Sequence, residues 1–144
     1  MKRIILPSLV FLFLAASALR AQSTEKVLIK SFNLQGHEVV LLEMPGEVEV
    51  QTWNNSWLQI QVKVKLADAG PAVLKSLVLA GRYDVQARST EEGLELRSKN
   101  LQRVVELNGK PLQESFSILV KAPRSTQVRL RTSDQPLFSS ALTP

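Results

Sequence analysis

The chain has 144 residues, 44% of them hydrophobic and 22% charged, with one histidine and no cysteine. That is the length of one domain, too apolar for a disordered chain and too evenly interrupted by polar residues for a polytopic membrane protein. Without cysteine there is no disulfide framework, thiolate metal site or thiol nucleophile, and a lone histidine excludes a histidine-rich metal cluster.

The N-terminus reads as a targeting segment. Lys2 and Arg3 precede an apolar run at residues 9–16 (LVFLFLAA), followed by Ser17-Ala18-Leu19-Arg20-Ala21. This is the three-part pattern of a signal peptide, with cleavage expected after Ala21. The competing reading is an uncleaved anchor. A bilayer span needs about 20 apolar residues, whereas this run is shorter and is flanked by Pro7, Ser8 and Ser17. The expected product is exported, periplasmic or extracellular, with no transmembrane span after cleavage. Losing Lys2, Arg3 and Arg20 leaves 15 of the 18 basic residues against 13 acidic ones, so the net charge falls from +5 to +2. No dense basic cluster survives, and nucleic acid is not an expected partner.

From residue 30 onward the pattern is alternation. Residues 30–34 carry Phe32 and Leu34, and residues 38–43 (EVVLLE) end at the turn signal Met44-Pro45-Gly46. Val48, Val50 and Thr52 alternate with Glu47, Glu49 and Gln51. After Trp53-Asn54-Asn55-Ser56, Leu58, Ile60, Val62, Val64 and Leu66 alternate with Gln59, Gln61, Lys63 and Lys65. Five apolar residues at period two share one face of a strand, and asparagine suits a tight turn. The two runs therefore predict an antiparallel hairpin, with Glu47 and Glu49 facing Lys63 and Lys65 in pairs that help fix register.

Pro71 can open a helix, Val73, Leu74, Leu77 and Val78 share one helical face, and Gly81 can close it, although Leu77-Val78-Leu79 also suits a strand. Strands are expected at 83–89 and 94–98 around the four-residue loop Thr90-Glu91-Glu92-Gly93. Another is expected at 103–107, before the turn dipeptide Asn108-Gly109. Residues 114–121 place Phe116, Ile118 and Val120 on one face. Residues 126–132 place Val128 and Leu130 inward and Gln127, Arg129 and Arg131 outward. The tail has no period and is expected to be flexible. The expected organisation is a signal peptide at 1–21, one β-rich domain at 22–133 and a tail at 134–144. The fold class is an all-β, mainly antiparallel sandwich or a short β-solenoid-like roll, with one short helix near 71–80.

Catalytic signatures are absent from the sequence. His37 sits in a turn, Gln35-Gly36-His37, and no Gly-x-Ser-x-Gly elbow accompanies it. Glu91, Glu92 and Glu95 could be imagined as a carboxylate pair for a secreted hydrolase, but a solvated charge run explains them better. No metal-binding or phosphate-cradling motif is present and no cofactor is expected. The candidate binding residues are Trp53, Trp57, Arg129 and Arg131. Strict alternation turns both tryptophans outward, where aromatics suit carbohydrate or protein contact. A phase shift at the turn would instead make Trp53 a cap on the core, the favoured reading, and leave Trp57 exposed. Arg129 and Arg131, with Lys121 and Arg124, would form a basic strip on adjacent strands, able to meet anionic envelope components.

The run from Gly46 to Lys65, a glycine, an alternating strand, a tryptophan-bearing turn and a second alternating strand, resembles the opening of the adhesin-like secreted envelope domains of unknown function. Gly93-Leu-Glu-Leu-Arg97, the strand Phe116-Ser-Ile-Leu-Val-Lys-Ala-Pro123 and Val128-Arg-Leu-Arg-Thr-Ser133 are similar to later elements of those domains. The resemblance implies a non-enzymatic exported module that binds an envelope protein or a glycan or is structural, and it transfers no catalytic residue. Such domains continue into repeated strands that this sequence lacks after Thr132. The last strand would then present an edge able to pair with another chain, with Arg129 and Arg131 as protective charges.

Overall fold

In the strand β4 (Leu58–Leu66), Leu58, Ile60, Val62, Val64 and Leu66 are all buried, as their spacing requires. The structure is a computed structural model that describes residues 23–131. The expected signal peptide and the expected tail from residue 134 lie outside the described residues.

Four strands form sheet A in the order β1 (Thr24–Phe32), β4, β9 (Glu114–Pro123), β3 (Glu47–Trp53). Four more form sheet B in the order β10 (Gln127–Leu130), β2 (Val39–Glu43), β6 (Gly93–Arg97), β5 (Gln86–Thr90). The short strands β7 (Glu106–Leu107) and β8 (Lys110–Pro111) make a separate hairpin. The apolar faces of both sheets enclose one core. Leu58, Ile60, Val64 and Val120 come from sheet A, Val40, Leu42, Leu94 and Leu96 from sheet B. This is an all-β sandwich with one short helix, α1 (Pro71–Leu79). The helix starts with proline in its first turn and ends in a glycine turn: Gly81 N–H donates to Val78 O and Arg82 N–H to Leu77 O. No helix among the described residues is long and apolar enough to cross a membrane.

The pairing is mixed, and here the structure corrects the alternation pattern. β3 and β4 do not pair. β9 lies between them, parallel to β3 (Val48 opposite Ile118) and antiparallel to β4 (Val62 opposite Ile118). Glu47 and Lys63 both stand opposite Ser117, one on each side, and Lys63 instead bonds Glu25 of β1 at 2.9 Å. In sheet B, β2 runs parallel to both β6 and β10. The physical reason is that the chain crosses between sheets rather than folding back. Met44-Pro45-Gly46 carries β2 of sheet B into β3 of sheet A, and residues 124–126 carry β9 back into β10. At the first corner Gly46 has φ +98°, and an added Cβ would lie 2.8 Å from Phe116 O, so glycine lets the backbone pass against β9.

Other boundaries shift. β1 begins at Thr24 rather than residue 30, and Leu34 is buried beyond its end. Only residues 86–90 of the expected 83–89 strand pair, because Tyr83 is held in the turn after α1. Thr90 pairs with Gly93, which shortens the expected loop to Glu91-Glu92. Only Glu106–Leu107 of the expected 103–107 strand pairs, closing on β8 through Asn108 (φ 53°) and Gly109 (φ 77°), the positive pair of a type I′ turn. Leu130 is not inward but 56% exposed on the edge strand β10.

Candidate functional site

Because β4 buries its even residues, register fixes what stands on the outer face of sheet A. One row is Val27, Lys63, Ser117 and Glu47; the next is Ile29, Gln61, Leu119 and Glu49; the third is Ser31, Gln59, Lys121 and Gln51. An open groove of about 570 Å³ crosses all four strands over the first two rows. Its polar groups are preorganised: Gln61 Nε2 donates to Gln59 Oε1 (2.9 Å), and Gln51 Nε2 donates to Glu49 Oε1 (2.8 Å).

The tryptophans close one end of this face. Trp53 keeps the odd phase of β3, so it does not cap the core; its ring lies on the outer side with Lys121 Nζ 5.9 Å from its centroid. Trp53 Nε1 donates to Trp57 O (2.9 Å), and the two rings meet edge to face with centroids 5.6 Å apart. Trp57 is 42% exposed. The loop between β3 and β4 therefore holds no phase shift, and the polar end of Trp53 is satisfied while Trp57 offers open aromatic surface.

The basic strip is not formed as expected. Lys121 is on β9 in sheet A, whereas Arg129 is on β10 in sheet B, so they do not share adjacent strands. Arg129 Nη2 donates to Gln127 Oε1, and Arg131 is paired with Glu92 of the β5–β6 turn. Glu95 lies 3.4 Å from Arg97, which also takes Glu43 at 2.6 Å. Of the carboxylates Glu91, Glu92 and Glu95, the last two thus each face an arginine. His37 Nε2 shares a 2.5 Å hydrogen bond with the exposed Ser89 Oγ. Among the described residues no carboxylate hydrogen-bonds that ring.

Sequence reasoning missed the most buried polar cluster. The glycine turn after α1 delivers Arg82 and Tyr83 to the start of β9. Arg82 Nε and Nη2 donate to both oxygens of Glu114 (2.8 and 2.6 Å), and its Nη1 donates to Asn100 O and Arg103 O (2.9 and 3.0 Å). Tyr83 Oη donates to Glu114 Oε1 at 3.0 Å. The fork hydrogen-bonded to Glu114 raises the guanidinium pKa; burial, then the adjacent carboxylate, pushes the Tyr83 phenol well above its ordinary range. Every member points at another member or at a backbone carbonyl, so the cluster is a clasp joining the helix, the 3-10 turn Asn100–Gln102 and the sheet. A signal was present: Glu114 shares the even, inward phase of Phe116, Ile118, Val120 and Ala122, and an inward carboxylate requires a buried cation.

No family model and no curated protein matches the chain. Among solved structures it is similar to a candidate adhesin from Bacteroides fragilis NCTC 9343, at 12% identity and TM-score 0.40, over 74% of this chain and 40% of that one. It is also similar to a candidate cell adhesion protein from Clostridium sporogenes ATCC 15579, at 13% identity and TM-score 0.39, over 74% of this chain and 46% of that one. The chain spans less than half the length of either protein.

Proposed function

We propose that the chain is an exported, non-enzymatic module of adhesin-like type that binds a glycan on the outer face of sheet A. The observation that carries this reading is the open groove crossing four strands, lined by Gln61, Glu47, Glu49 and Lys63, with the Trp53–Trp57 pair on the same sheet beyond the row of Gln51, Gln59 and Lys121. Sugar hydroxyls both donate and accept, and the amides of Gln51, Gln59 and Gln61 do the same. An exposed indole supplies the apolar surface for the C–H face of a sugar ring. The centre of a protein–protein interface is depleted of charge, whereas this groove is lined by Glu47, Glu49 and Lys63. The signal-peptide pattern of residues 1–21 supports export.

The test is a glycan array probed with the purified protein, followed by titration of the best ligand. Trp57→Ala and Gln61→Ala are expected to weaken binding about tenfold each, roughly 1.4 kcal/mol, with the circular dichroism of the folded protein retained. Retention of no glycan, or an affinity indifferent to both substitutions, refutes the reading.

A further inference from the structure

Strand β1 is an edge of sheet A along all nine of its residues, and its outer face carries Val27 (47% exposed) and Ile29 (60% exposed) beside Glu25, whose charge is paired with Lys63. A long edge with exposed β-branched residues is a template for another strand. The other edges offer no such outward pair of exposed β-branched residues. β3 presents Glu47 and Glu49, β5 presents Arg88, and β10, the edge favoured by the sequence pattern, presents Arg129. A second feature lies beside β1: a cleft of about 150 Å³ between it and the segment around the end of α1, lined by Leu28, Val62, Val78, Asp84 and Val85 among others.

The inner side of β1 carries Lys26, Leu28 and Lys30. Lys30 is engaged, its Nζ donating to Val85 O at 2.7 Å. Lys26 and Asp84 are both exposed, and neither takes an ion pair among the described residues. An inward-pointing lysine on an edge normally repels strands.

We propose that β1 pairs antiparallel with β1 of a second copy about a two-fold axis at Val27. In that register Val27 faces Val27, and Lys26 of each copy stands opposite Leu28 of the other, beside the cleft that Asp84 lines. Thr24 then faces Lys30, so the overlap stays within the strand. The register two residues further on would set Lys26 against Lys30, two like charges directly opposed, and is disfavoured. The result is one continuous eight-stranded sheet presenting two outer grooves side by side.

The experiment uses protein expressed from the full coding sequence and purified. Light scattering is expected to show a dimer, and Lys26→Glu to weaken it at least about tenfold. Adding Asp84→Lys to Lys26→Glu is expected to restore it. Because the chain has no cysteine, Val27→Cys introduces a single thiol. Directly opposed antiparallel residues sit about 4.5–5.5 Å apart at Cα, within disulfide reach, so mild oxidation is expected to cross-link this variant and not Gln51→Cys. A monomer at every concentration, a dimer indifferent to Lys26→Glu, or cross-linking of Val27→Cys no faster than of Gln51→Cys overturns the proposal. A monomer that still binds glycan would leave the groove reading standing.

Discussion

Glu114 shows how one residue ties three elements together. Its carboxylate holds the Arg82 fork and the Tyr83 hydroxyl, and Arg82 in turn holds the carbonyls of Asn100 and Arg103. Glu114→Gln leaves a buried guanidinium without its counter-charge and is expected to cost roughly 3–5 kcal/mol in urea denaturation; a loss below 1 kcal/mol would remove the clasp from the account of stability. Tyr83→Phe keeps the ion pair and loses one hydrogen bond, about 1–1.5 kcal/mol. The same residue sets an alkaline limit. Its folded pKa lies above the unfolded value of 10.0, so folding favours the protonated phenol. That contribution is complete below about pH 10 and is lost as pH rises beyond it. The wild-type urea midpoint should therefore fall between about pH 9 and about pH 11 more steeply than that of Tyr83→Phe. At this scale the sequence was half legible. Glu114 could be seen out of place among inward apolar residues, but Arg82 could not be seen as its partner, because only the folded turn at Gly81 brings them together.

Elements were legible wherever the code is local. The apolar period of β4, the proline and glycine bounds of α1 and the Asn108-Gly109 turn are each set within a few residues. Pairing is not local. β3 and β4 are adjacent in sequence and complementary in charge, yet β9 enters between them, and nothing within residues 47–66 announces a strand that begins at Glu114. The close approaches of strand to strand are equally invisible in sequence, and they separate two glycines that otherwise look alike. Gly93 has φ +149°, and an added Cβ would lie 2.3 Å from Val39 O in the neighbouring strand β2; Gly109 has φ +77° with nothing within 4 Å. Gly93→Ala is expected to destabilise by roughly 2–4 kcal/mol, because backbone on backbone cannot yield, and Gly109→Ala by about 1 kcal/mol, the cost of its backbone conformation alone. Thermal melts of the two variants check the order; equal losses would mean that β6 moves away from β2 at no cost.

At the scale of the whole molecule, β9 holds the two sheets in one fold. It is the only described strand that joins β3 to the rest of sheet A, it supplies Ile118, Val120 and Ala122 to the core, and its first residue anchors the clasp. β10 carries less: Val128 is partly buried, and Leu130 and Arg129 are exposed at the edge of sheet B. The two are consecutive, so truncation separates their contributions. A chain ending at Gln113 should lose cooperative unfolding and the strand signal in circular dichroism, because β3 is left without a partner and the apolar face of β4 is uncovered on one side. A chain ending at Thr126 should still unfold in one cooperative transition at a lower midpoint, since β2 keeps β6 and gives up only its outer neighbour. Cooperative folding of the shorter chain would show that β1 and β4 suffice to organise sheet A, and the sandwich would then be two separable halves rather than one structure closed by a strand that arrives late in the sequence.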